Sequence, residues 1–108
     1  MKTIPDKWVI LKITRKEETL YRVFASWAGG YLTGDSWRVN SGISDIYLEG
    51  DNYRIGGFSG SHYICHRDNY GVIGGYNQGV LSNILEKQEK DVIEVLPKTT
   101  EFLKLIKK

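Results

Sequence analysis

The sequence predicts an α+β fold: an antiparallel β-sheet meander of five to six strands, followed by one or two C-terminal helices. Over the first two thirds of the chain, apolar and polar residues alternate with a period of two between breaks rich in glycine, asparagine and charge. After Tyr76 the apolar residues instead recur at helical spacing. With 108 residues, 41% of them hydrophobic, the chain has material for the core of one compact domain spanning residues 1–108.

The first strand is expected over Trp8 to Thr14, where Val9, Leu11 and Ile13 share one face and Trp8, Ile10 and Lys12 the other. Charged Arg15-Lys16-Glu17-Glu18 suits an exposed turn, and Thr19 to Ser26, β-branched and aromatic, completes a hairpin. Between Trp27 and Gly42 the periodicity vanishes. Gly29, Gly30, Gly34 and Gly42 mark that segment as a long shaped loop. Strands resume at Ile43 to Glu49 and Asn52 to Ile55 around a Gly50-Asp51 turn, and again at Ser61 to His66 after Gly56-Gly57. Val80, Leu81, Ile84 and Leu85 define a helix from Tyr76 onward. Val92 to Leu96 is a last strand stopped by Pro97, and Thr100 is placed to cap a short helix burying Phe102, Leu105 and Ile106.

Composition narrows the function classes. Lysine and arginine number 15 against 13 acids, far from the basic excess of a dedicated duplex binder. The single Cys65 cannot form an internal disulfide, and the opening Met1-Lys2-Thr3-Ile4-Pro5-Asp6 lacks the apolar run of a signal peptide, so a cytoplasmic setting is expected. No apolar stretch approaches the roughly 20 residues that cross a bilayer as a helix, and no membrane partner is expected.

The richest chemistry lies between Trp27 and Gly42. Gly29, Gly34 and Ser36 have the spacing of a phosphate-binding loop, but Asp35 stands where the motif requires lysine, and a carboxylate there repels phosphate. The same stretch supplies Trp27, Tyr31 and Trp37 for stacking, Arg38 for a phosphate or carboxylate, and Asn40 and Ser41 for hydrogen bonding. The alternative role for the tryptophans is to cap the small core. A second glycine-aromatic segment, Gly71 to Gly79, brings Asn69, Tyr70 and Tyr76 as further candidate ligand contacts. Its main-chain amides could face an anion if they precede the helix.

His62, Cys65, His66 and Asp68 have metal-binding side chains. In a strand, however, the two histidines lie about 13 Å apart and Cys65 points to the opposite face, so no metal site is expected. The same alternation separates Cys65 from His66 as nucleophile and base, which leaves no catalytic residue to assign and no cofactor to expect. Acid pairs such as Glu17-Glu18 are assigned to solvated turns.

The strings Ser26-Trp27-Ala28-Gly29-Gly30-Tyr31-Leu32 and Gly34-Asp35-Ser36-Trp37-Arg38-Val39-Asn40-Ser41-Gly42-Ile43, with Gly60-Ser61-His62-Tyr63-Ile64-Cys65-His66, resemble short proteins encoded by phages and prophages. Some small phage proteins are anti-defence sponges that sequester cyclic nucleotide or cyclic ADP-ribose signals through aromatic, arginine and asparagine side chains. The resemblance implies a non-enzymatic binding protein in the host cytoplasm that holds a nucleotide-like small molecule. Homo-oligomerisation would deepen its cleft. Two alternatives stand beside it: an inhibitor or adaptor acting on a host enzyme through exposed Trp, Tyr and Arg, and a single-stranded nucleic-acid binder with aromatic platforms.

Overall fold

A computed structural model describes residues 2–29, 34–87 and 91–106. Its strands are β1 (Lys2–Thr3), β2 (Lys7–Arg15), β3 (Glu18–Trp27), β4 (Ser36–Val39), β5 (Ile43–Glu49), β6 (Asn52–Gly57), β7 (His62–His66) and β8 (Val92–Val95), with one α-helix, α1 (Gly75–Glu86). Single turns of 3-10 helix cover Arg67–Asn69 and Phe102–Lys104.

The α+β class stands, but the single meander does not. The described strands form two four-stranded sheets, ordered β1-β7-β6-β5 and β4-β3-β2-β8. A period of two in a sequence reveals that a segment is a strand; it is silent about which strand lies beside it. The β2/β3 hairpin forms as expected, with Ile10 opposite Val23 and Trp8 opposite Ala25. The chain then leaves the sheet after β4, and β5 opens a second one. β8 returns to β2, whereas β1 joins the far edge of the second sheet parallel to β7.

Alternation explains the layers. Trp8, Ile10, Val23 and Ala25 point from the first sheet toward Ile43, Ile55, Tyr63 and Cys65 of the second, and Phe102 joins this core. Trp8 lies at its centre, fully buried, with its indole N–H donating to the His66 carbonyl at 2.8 Å. Tyr70 meets it edge-on at a centroid distance of 4.8 Å. The opposite face of the first sheet carries Val9, Leu11 and Phe24, which pack against Leu81, Val80, Ile84 and Leu85 of α1. The β4-β3-β2-β8 sheet is therefore covered on both faces, and burying each such side chain contributes about 1.5–3 kcal/mol.

At the C-terminus Phe102 is buried as expected, but the expected short helix is a single turn. The Thr100 hydroxyl does not cap it and instead donates back to the Pro97 carbonyl at 2.7 Å. No helix among the described residues is long and apolar enough to cross a membrane.

Candidate functional site

The segment read as loop from Trp27 to Gly42 contains β4, the edge strand of the first sheet, paired with β3 so that Ala25 faces Arg38 and Trp27 faces Ser36. Successive side chains of β4 project to opposite faces. Trp37 lies on the helix side, stacked on Phe24 with a ring separation of 5.8 Å and an interplanar angle of 5°. Arg38 lies on the other side with Trp27, and its guanidinium reaches the Tyr63 hydroxyl. Burial raises the pKa of Tyr63 above the ordinary phenol value, while Arg38 pulls it back down.

A groove of about 430 Å³ runs where the edges of the two sheets meet, lined on one side by Trp27, Ser36, Trp37 and Arg38 and on the other by Lys2, Thr3 and Ile4. Its floor is tied by the Trp27 indole N–H, which donates to the Ile4 carbonyl at 2.8 Å. Trp37 remains 41% exposed and Ile4 64%. Lys2 and Arg38 give the lining two cations, and among the described residues no carboxylate lines it. Of the residues expected from the sequence, Trp27, Trp37 and Arg38 thus meet at one groove. Nothing local in the sequence could have added Lys2, Thr3 and Ile4, because they arrive through the parallel pairing of β1 with β7, some sixty residues away.

The other expected residues are placed elsewhere. Asn40 is 4% exposed, and its side-chain oxygen accepts the Val23 N–H at 2.8 Å while its own N–H donates to the Val23 carbonyl. Ser41 clamps the following turn, accepting the Ser59 N–H and donating to the Ser59 hydroxyl. The Tyr70 hydroxyl accepts the Ile10 N–H at 3.0 Å and donates to the Leu96 carbonyl at 2.6 Å; burial pushes its pKa up to about 12, partly offset by the Ile10 bond. Asn69 ends the turn after β7, and Tyr76 stands 62% exposed in the first turn of α1; neither lines the groove. Tyr31 lies outside the described residues.

The glycine-rich approach to α1 also acquires a definite role. A Cβ on Gly74, the residue capping the helix N-terminus, would overlap the Asp35 carboxylate. The positive end of the helix therefore already has an anion from within the chain. Cys65 points into the core, fully buried, and burial raises its thiol pKa, while the alternation of β7 turns His62 and His66 to the other face. A hollow of about 630 Å³ near the β2/β3 turn is lined by charges of both signs, including the 3.6 Å Arg15–Asp91 ion pair, and gathers none of the residues expected at a site.

Compared with family models, curated proteins and solved structures, the chain matches none of them.

Proposed function

We propose that this is a non-enzymatic protein-binding module, an inhibitor or adaptor that captures its partner in the groove between β1 and β4. One observation carries the proposal. Trp27 and Trp37 leave opposite faces of the sheet yet line the same groove, because the groove follows the edge of β4. One planar base cannot stack on both rings, whereas a protein segment lying along the edge meets both. Tryptophan and arginine are the residue types that dominate interface energetics when they anchor a contact. On the resemblance to phage proteins, the expected partner is a host enzyme in the cytoplasm.

Capture of a nucleotide-like anion is the second reading. It is favoured by the parallel Phe24–Trp37 stack, which leaves Trp37 part-exposed beside Arg38, and a base stacked on such a ring gains about 1–3 kcal/mol. Asn40, Ser41 and Tyr70 are engaged within the fold and do not serve it.

The test compares Trp37→Ala and Arg38→Glu with the wild type, both for capture of partners from a cell extract and for calorimetric binding of cyclic nucleotides and cyclic ADP-ribose isomers. A hot-spot role predicts that either substitution weakens partner binding about tenfold or more, with the fold unchanged by circular dichroism. Partner binding indifferent to both substitutions would overturn the proposal. Micromolar binding of a cyclic nucleotide, lost in both variants, would establish the second reading in its place.

A further inference from the structure

We infer that the partner enters the groove as an added β-strand: an extended, acidic segment of another protein, hydrogen-bonded to the free edge of β4. The inference rests on the groove being a protein-binding surface and concerns how it binds and what it selects.

The register of β4 determines which main-chain groups face outward. In an antiparallel pair, each residue turns both its N–H and its C=O toward the neighbouring strand, and the next residue turns both away. Asn40 donates its N–H to the Val23 carbonyl, so at intervals of two Arg38 and Ser36 also turn toward β3. The β2 side gives the same answer. Ser26 accepts the Asp6 N–H, so Ser26 faces β2 while Ala25 and Trp27 face β4. Trp37 and Val39 are then the residues whose main-chain groups point out of the sheet. Among the described residues, no hydrogen bond from another segment reaches them.

Alternate residues of a strand repeat every 6.6–6.8 Å or so, and a second strand presents its own donors and acceptors at the same interval. The four-residue edge is thus a short template for strand addition. An added strand would send alternate side chains to the two faces of the sheet. One set meets Trp37; the other meets Arg38 and Lys2.

Charge selects the occupant. Arg38 and Lys2 form no ion pair among the described residues. The acids of the adjoining segments are committed within the fold: Asp6 accepts the Ala28 N–H at 2.9 Å, and Asp35 lies over Gly74. A segment with aspartate or glutamate at alternate positions supplies the missing charge. A second copy presenting its own β4 would instead set cation against cation, an arrangement that destabilises cross-strand neighbours.

The experiment selects a random heptapeptide library against the whole protein, then synthesises the selected peptides with N-methyl groups on one or the other alternate set of residues. Strand addition predicts acidic residues at every second position. N-methylation of one set should weaken binding at least tenfold and of the other only slightly, and amide exchange at Trp37 and Val39 should slow at least tenfold in the complex. Arg38→Glu should shift the selected peptides toward basic sequences; Arg38→Gln should weaken the acidic ones without that shift.

Three results would overturn the inference: no enrichment; binding insensitive to N-methylation of either set; or concentration-dependent self-association, abolished by Arg38→Glu, that occupies the edge. If N-methylation has no effect but Arg38→Glu still abolishes binding, the groove binds protein through side chains and only the strand mode fails. If neither Trp37→Ala nor Arg38→Glu changes peptide binding, the groove itself is wrong and both proposals fall.

Discussion

Asn40 shows how a side chain suited to ligand recognition can be consumed by the fold. It ends β4 by substituting its own amide oxygen for the main-chain carbonyl that would have continued the ladder, so Val23 keeps its acceptor while the backbone turns away toward Ser41. Asn40→Ala leaves a fully buried N–H without a partner, and urea unfolding should show a loss of about 1–3 kcal/mol. Arg38→Ala removes an exposed guanidinium whose one partner in the fold is the Tyr63 hydroxyl, and should cost about 0.5–1.5 kcal/mol. Tyr70 is consumed in the same way, its hydroxyl set between the Ile10 N–H and the Leu96 carbonyl. Its folded pKa of about 12 lies above the ordinary 10, so the fold favours the protonated phenol. The associated stability is complete below pH 10 and is lost as the pH rises toward 12. Tyr63 is shifted in the same direction and adds to that loss. Tyr70→Phe should therefore lower stability at neutral pH by about 1–3 kcal/mol and make the decline between pH 10 and 12 shallower, as measured by denaturation at a series of alkaline pH values.

Among the elements, those legible in the sequence are long and buried on both faces. β2 and β3 span nine and ten positions, and because one face packs on the second sheet and the other on α1, each carries a continuous apolar run, Trp8 to Leu11 and Val23 to Ala25, that marks it as a central strand. β4 wrote almost none: it has four residues, three of them exposed, within a glycine-rich run. β1 has only two. The site was half legible for the same reason, since residue type singled out Trp27, Trp37 and Arg38 while only topology could bring Lys2 to face them. The start of α1 belongs to this scale as well. Gly74 has φ +87°, and a Cβ there would meet the Asp35 carboxylate. Gly74→Ala should cost about 1–3 kcal/mol through strain and overlap combined. Asp35→Ala alone should cost about 0.3–1 kcal/mol by removing the anion from the helix N-terminus. In the double variant the overlap disappears but the strain at positive φ remains. A thermal-denaturation cycle should therefore give a double-variant loss smaller than the sum of the two singles; strict additivity would mean that Asp35 does not occupy that space.

For the molecule as a whole, the question is whether the two sheets unfold together, and Cys65 reports on it. The thiol is fully buried on the core face of β7, a strand held between β1 and β6, and burial raises its pKa, so both access and ionisation protect it from alkylation. Labelling requires the core between the sheets to open. Phe102 closes that core from the C-terminal turn, with its ring 5.4 Å from Trp8 and 5.5 Å from Tyr53. Phe102→Ala should cost about 3–5 kcal/mol by the cavity it leaves, a change of more than a hundredfold in the unfolding equilibrium. If the layers form one cooperative unit, the native-state labelling rate of Cys65 by a small maleimide should rise by the same factor that denaturant unfolding reports for the lost stability. An unchanged labelling rate despite that loss would mean that β7 opens locally without the C-terminal turn. In that case the second sheet, whose edge forms one wall of the groove, would be a separable part of the molecule.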